Sequence, residues 1–573
     1  AHLQVCDNVP VNTEPLGDPK DVKARIDSLQ VKGDKTSLLL ACQLVSVIGG
    51  REGYSSPETL RAKAYVASSL VWLGRSLEAQ VLAKELHGQM LAAHPALHTD
   101  AGTIAALVSL THQQRDEFET ALHWSRQAID ISGAEIAQED PVTWWRIRVN
   151  HAQLLVSMRQ YTQAQELNLA LLAEIAGRTD LAVEQAAVLN ALANLAKVQD
   201  RIEQALSYTR DELQLRRTSL ASDVVGLATA TQNYALLCSQ LARYDEAELA
   251  LKEALRLASL DGPDHNNHRA SIRLAYAKLL LQRGQPEQAL SLAQQAVELI
   301  NSGGAQASTR AARALRTLAL AQNAVGDLGA SLQTWARAAQ LLETGQVKNQ
   351  ADAATRLGVY LGYGQALLAL GDPQGAQEWL DKALEAAKTT PHSAIEQAQI
   401  QLLRVAILSR QSAQTAPLLE ALDQASAALS QAYPSEHPLR VRLQAERCKH
   451  DLASCAALEA WFKPDSPALL PESVATAALA MSQRERLRNQ PGTAFEHATV
   501  ALQAASESRQ APLKVQAFAE LALVQALRGQ LSDAIFFGTA NLLDFFSVEK
   551  LRRTVVESPM GGAARELEVT LRV

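Results

Sequence analysis

Two short stretches carry the side chains that metals and acid–base chemistry use. "DGPDHNNH" (Asp261 to His268) sets His265 and His268 just after Asp264, and "HPALHTD" (His94 to Asp100) sets His94 and His98 four residues apart with Asp100 beside them. A metal site needs three or four such ligands converging at about 2.0–2.2 Å. HPALH lacks the glutamate of a zinc-protease helix, and Pro95 argues against one continuous helix through it. Neither stretch therefore forms a recognisable ligand set, and both read as loops. No metal or cofactor is expected. Nucleophilic chemistry has no better support, because the sequence contains no GxSxG, no phosphate-binding Walker loop and no GxGxxG.

Cysteine is the more informative residue. There are five, so at least one stays unpaired if the others pair. Cys448 and Cys455 flank a turn, where adjacent antiparallel helix ends come within disulfide reach, about 4.4–6.8 Å between Cα atoms. Three states fit the residues: a Cys448–Cys455 disulfide, a metal held by Cys448, His450 and Cys455, or reduced thiols in a cytoplasmic protein. The disulfide is the expectation, with Cys6–Cys42 as a plausible second staple and Cys238 as a buried core thiol. Disulfides would place the chain in a periplasmic or secreted, oxidising setting.

The elements that position these residues follow from a repeat. With Ala247 of "YDEA" as anchor, small residues recur at Ala79, Ala121, Ala164, Ala205, Ala289, Ser331, Ala376 and Ala416, then more weakly at Ala456, Ala494 and Ala534. The spacing is about 42 residues. Twelve residues before the anchor stands a second small column: Ala67, Ser109, Ala152, Ala193, Ala235, Ala277, Ala319, Gly364, Ser482 and Ala522. Five before it stand Gly74, Asp116, Asp200, Gly284, Gly326, Gly371, Asp451, Asn489 and Gly529. Gly and Asn tolerate the left-handed backbone that closes a helix, Asp less well. The two small columns let two antiparallel helices pack closely. Near residue 400 the pattern frays, with Arg404 and Gln444 where small residues belong.

Three columns in register resemble the tetratricopeptide repeat. "NYALLCSQLARYDEAELALKEAL…GPDH" (from Asn233) and "LNALANLAKVQDRIEQAL" (from Leu189) are similar to the kinesin-light-chain type, whose units exceed the usual length of about 34. The resemblance implies an all-α, right-handed superhelical solenoid of about eleven to twelve antiparallel helix pairs. It implies joints, not sites, at "DGPDHNNH", "AAHPALHTD", "TTPHS" and "YPSEHP".

The expected organisation is an N-terminal head and cap (1–54), a regular array (55–400), degenerate repeats ending in the proline-rich Lys463–Ser473 (401–473), C-terminal repeats (474–546), and a tail (547–573) whose end, Glu566–Val573, alternates like a strand. The cap covers the apolar face that a first repeat would expose. "DAIFFGTANLL" (Asp533 to Leu543) is similar to the end of helical arrays that precede bacterial CHAT protease domains.

The resemblance also assigns an inner surface, at positions 18, 15, 14, 11 and 7 before each anchor. Repeats three to six place there Arg146, Asn150, Gln153 and Ser157; Asn190 and Asn194; Thr229, Gln232, Asn233 and Gln240; Ser271, Lys278 and Gln282. Asn150 and Asn233 match positions where peptide-binding members hold a ligand backbone. An amide suits that role because it both donates and accepts. Asparagine is an indifferent helix former, so its place in mid-helix has no local cause. The competing reading is a solvated polar face. The expected function is a non-enzymatic scaffold for a protein or extended peptide, with Asn150, Asn190 and Asn233 as a row along its main chain. The alternative is the regulatory arm of a larger multidomain enzyme, a CHAT-type protease or kinase whose catalytic domain is linked or associated. The net charge of -7 gives no electrostatic reason for nucleic acid, and no apolar run suits membrane insertion.

Overall fold

In a computed structural model of the chain, the described residues are residue 6 and 18–545, excepting 32–34, 94–96, 116, 176, 260–265, 303–308, 345–349, 390–392, 412–414, 463–468 and 509–510. Every regular element among them is helical. The helices come in antiparallel pairs and divide into two compact units, 1–195 and 196–573, with the boundary inside the helix Ala182–Val198. Each unit is a solenoid of such pairs.

Unit 1 begins with Pro19–Val31 and Thr36–Glu52, followed by Pro57–Trp72 with Ser76–Ala93, His98–Gln113 with Phe118–Glu139, and Pro141–Ser157 with Tyr161–Ile175. In unit 2, Ile202–Ser219 is followed by Val224–Gln240 with Tyr244–Ser259, Asn266–Gln282 with Pro286–Ser302, Thr309–Ala324 with Leu328–Thr344, Gln350–Ala369 with Pro373–Thr389, and Ala394–Arg410 with Thr415–Ser430. After Pro438–His450 the partner helix shrinks to short turns across Leu452–Phe462. Two full pairs close the described chain: Pro471–Leu487 with Pro491–Ser508, and Ala511–Leu527 with Leu531–Phe545. Starts are set locally. Asp140 and Asp223 accept from Thr143 and Gly226 backbone N–H, and Ser393 with Glu396 forms a capping box.

The small columns mark where paired backbones approach most closely. Ala79, Ala121, Ala164, Ala205, Ala247, Ala289 and Ala376 are fully buried, as are Ala67, Ala152, Ala235, Ala277 and Ala319. Where serine replaces alanine, its hydroxyl takes one recurrent bond across the pair. Ser109 Oγ donates to the Ala121 carbonyl (2.6 Å), Ser331 Oγ to Ala319 (2.8 Å), and Ser482 Oγ to Ala494 (2.9 Å). A buried hydroxyl is thereby satisfied without widening the contact.

The turn column is equally regular. Gly74, Gly284, Gly326, Gly371 and Gly529 have positive φ, and so do Arg159, Asp200, Ala242 and Asn489 at the equivalent places. Each turn bonds two N–H groups back into the helix, as Ala242 N–H to Ser239 and Arg243 N–H to Cys238 do in the pair around Ala247.

The structure corrects the columns in their weak region. Ala416 is exposed; Leu418, forty-two residues after Ala376, is the buried residue three places into its helix. Ala406 then stands twelve residues earlier, so Arg404 does not occupy the small position. Ala456 is exposed as well, while Cys455 beside it is buried, and Asp451 has φ -135, not a left-handed turn. The register there keeps the regular spacing of forty-two, and anchoring on Ala416 had set it two residues early. The strand-like Glu566–Val573 lies outside the described residues.

Candidate functional site

Within each unit, the first helices of successive pairs pack on one another, while second helices make no comparable contact with each other. Thr309–Ala324 touches Gln350–Ala369, for example, and Asn266–Gln282 touches Thr309–Ala324. Helices that converge line the concave side, so the polar positions named from the sequence lie on helices of that side.

In unit 1, Arg146 is exposed and lies 3.8 Å from Glu184, a contact too open to fix either side chain. Asn150 is half-buried and bonds to no described residue. Gln153 is exposed. Asn194 donates to Asn190 Oδ1 at 3.0 Å, one turn apart on their helix.

In unit 2 the polar positions fall into two kinds. One kind ties neighbouring first helices together: Gln232 Nε2 to Ser271 Oγ (2.8 Å), Ser239 Oγ to Gln282 Oε1 (2.6 Å), and Thr229 Oγ1 with His268 Nε2 (3.1 Å). The other kind is uncommitted. Asn233 is half-buried with no hydrogen bond to a described residue, and Gln240 Oε1 is buried without a partner. The Gln240 backbone carbonyl, by contrast, accepts from His437 Nε2 at 2.8 Å.

A cationic group stands next along the same side. Lys278 makes no hydrogen bond or ion pair with a described residue, and enclosure by protein together with Arg316 and Arg313 pushes its ammonium down to about 7. Arg316 is also unbonded among the described residues, and burial lowers its pKa. Sequence reasoning stopped at Lys278 and missed this pair. The signal was present, since Arg313 and Arg316 stand 18 and 15 residues before Ser331.

The cysteines are placed plainly. Cys448 and Cys455 are joined with Cα atoms 4.7 Å apart, and Cys6 and Cys42 with 5.5 Å. The sulfurs of Cys448 and Cys455 are thus engaged with each other and not with a metal beside His450. Cys238 is free and buried, its thiol pushed up to about 11 by burial, so it is an inert core group at neutral pH. Of the two histidine stretches, His94, Asp264 and His265 lie outside the described residues, while His98 and His268 sit at the starts of helices.

Comparisons with known proteins agree with this architecture. The family model for the tetratricopeptide repeat matches residues 228–259 and 357–390. No curated protein sequence matches the chain. Among solved structures, the apo form of RapI is similar over 65% of this chain and 96% of its own, at 12% identity and a TM-score of 0.50. BtubC (BKLC) from P. vanneervenii is similar over 48% and 91%, at 18% identity and a TM-score of 0.31. TPR-like repeats of a kinesin light chain from Podosopora anserina are similar over 36% and 100%, at 14% identity and a TM-score of 0.30. No helix among the described residues is long and apolar enough to cross a membrane.

Proposed function

We propose that this chain, an array of tetratricopeptide repeats, is a non-catalytic scaffold that binds an extended segment of a partner protein on the concave side of its helix pairs. The observation that carries the reading is the division of labour in unit 2. Gln232, Ser239, Ser271 and Gln282 spend their hydrogen bonds on their neighbours. Asn233, one residue from Gln232, has none to a described residue although it is half-buried. A purely solvated face would give no reason for a mid-helix asparagine held out of the ties around it. An amide in that position can accept from a ligand N–H and donate to its carbonyl at once. Asn150 holds the corresponding position in unit 1, with Asn190 and Asn194 a repeat further on. Backbone recognition of this kind gives affinity with little sequence choice, and Lys278 adds a preference for acidic groups.

The two disulfides support a home outside the reducing cytoplasm, in a periplasm or the extracellular medium. A cytosolic protein would keep such pairs reduced.

The test uses a phage-displayed random peptide library selected on the intact protein. Affinities of the selected peptides are then measured for wild type and for Asn233→Ala, with circular dichroism as the folding control. One lost hydrogen bond costs about 0.5–1.5 kcal/mol, so binding weakens several-fold. Equal affinities for both proteins place the interface elsewhere.

A further inference from the structure

One side chain in unit 2 makes a long-range contact through both of its ring nitrogens. His437 is the N-cap of the helix Pro438–His450, and only 9% of it is exposed. Its Nδ1 accepts from the Leu439 N–H at 3.3 Å, which satisfies one of the free N–H groups at the helix start. Its Nε2 lies 2.8 Å from the Gln240 carbonyl, at the end of a helix 197 residues earlier in the chain. A carbonyl can only accept, so Nε2 carries a proton and Nδ1 does not. The two bonds together define one tautomer of the neutral ring. The imidazolium, with a proton on each nitrogen, cannot make both. Tyr433 lies against the ring with centroids 4.6 Å apart, and it belongs to the buried cluster that joins Ala247 and Leu279 to Ala398 and Leu422.

Protonation at Nδ1 is opposed from several sides. The Leu439 N–H loses its acceptor, and the new charge stands at a helix N-terminus, where the backbone is already positive. Arg440, in the first turn, adds a like charge. Glu436 acts the other way, but its carboxylate accepts from Ser435 Oγ at 3.0 Å and makes no bond to the ring. Across the contact, Arg243 stands three residues beyond Gln240 and is paired with Glu203 at 2.8 Å. Tyr244 beside it is a phenol that burial holds above its ordinary value. Asp200 and Glu396 act on Tyr433, and Asp200 Oδ2 takes the Ala394 N–H at 3.0 Å. Among the described residues no carboxylate bonds the ring. Burial pushes the histidine below its ordinary value and Arg440 adds to that, while the bond to the Gln240 carbonyl and Glu436 offset part of it.

We propose that His437 is a proton-operated clasp, which holds the end of Val224–Gln240 against the start of Pro438–His450 when neutral and releases it when protonated. Histidine is the side chain whose ordinary range of charge change, near pH 6.5, suits such a role. The closed contact takes up the proton less readily than the open one. Closure is therefore fully favoured above that pH and loses ground below it, by up to about tenfold for each unit of pH. The loss ends where the closed form becomes protonated as well. The Ala394–Asp200 bond joins the same early and late pairs, so it reports on the clasp without containing its titrating group. The inference goes beyond the groove reading, because its effector is a proton and no bound segment takes part.

The measurement is hydrogen exchange of the intact chain between about pH 7.5 and 4.5, with rates corrected for the intrinsic pH dependence of exchange. The amides of Leu439 and Ala394 are the readouts, and those of Ala319 and Ala321, inside Thr309–Ala324, are the reference. Protection at Leu439 and Ala394 is expected to fall about tenfold between about pH 6.5 and 5.5, while the reference stays level. His437→Gln keeps a donor and an acceptor but does not titrate in this range, so its protection at Ala394 is expected to stay level. Three results overturn the proposal. One is protection at Ala394 that follows the reference in the wild type, even if Leu439 alone is lost, since that confines the effect to the helix cap. Another is a fall that persists in His437→Gln. The third is a wild-type fall that begins only below about pH 5, in the carboxylate range. The first and third are read on the wild-type chain, so they decide the matter even if the variant fails to fold.

Discussion

Arg159 and Ala242 hold a left-handed backbone with φ of 59, in turns where five other repeats use glycine. An L-residue with a Cβ pays about 1–2 kcal/mol for that conformation. The surrounding turn imposes it, because two N–H groups must reach back into the helix at every such joint. Ala242→Gly is therefore expected to raise the stability of unit 2. The gain is a few tenths to about 1 kcal/mol, since glycine's greater freedom in the unfolded chain offsets part of the relief. Urea unfolding of the purified variant checks this, and a lower midpoint contradicts it. The sequence made the glycine and asparagine turns legible because those residue types advertise the conformation. Arg159 and Ala242 advertise nothing, and only their distance from Ala164 and Ala247 marks them. Asn233 and Lys278 were legible in the same positional way. Their freedom from neighbouring bonds was not, since it depends on which side chains the adjacent helix offers.

At the scale of the helix pair, stability rests on close backbone approach at the two small columns. Ala235 and Ala247 are both fully buried, one from each helix of their pair. Ala235→Leu inserts a branched side chain there and is expected to cost about 1–3 kcal/mol, read as a lower thermal midpoint. An unchanged midpoint would remove the close-contact account. The covalent ties act on a different term, the freedom of the unfolded chain. Cys6–Cys42 closes a loop of 36 residues and Cys448–Cys455 one of 7. By loop entropy the first is worth about 4 kcal/mol and the second about 2. Cys42→Ser should therefore lower the urea midpoint more than Cys448→Ser, and the reverse order contradicts that assignment. The pairs themselves were legible wherever small residues kept a fixed spacing. The register near Leu418 was not, because leucine there fills the anchor place and Ala416, two residues earlier, offered a false match.

At the scale of the molecule, unit 2 contains contacts that no local pattern announces. The Ala394 N–H donates to Asp200 Oδ2 at 3.0 Å, and His437 bonds the Gln240 carbonyl, across separations of 194 and 197 residues. A buried cluster accompanies them. It joins Ala205, Ala247 and Leu279 to Ala398, Leu422 and Tyr433. The turn ends of early pairs thus meet the starts of helices that lie five pairs further on. Such contacts depend on how many pairs the solenoid needs to come round on itself, and small per-pair rotations set that number. A repeat period alone does not encode it. The binding account places the ligand on the concave side of unit 2. The most direct test replaces single residues with a photo-crosslinking benzoylphenylalanine and uses a library-selected peptide as probe. One position is 233, on a first helix, and the other is 249, on the second helix of the same pair, where Leu249 is 71% exposed. Crosslinking from position 233 and not from 249 is the predicted result; crosslinking from 249 and not from 233 contradicts a ligand on the concave side.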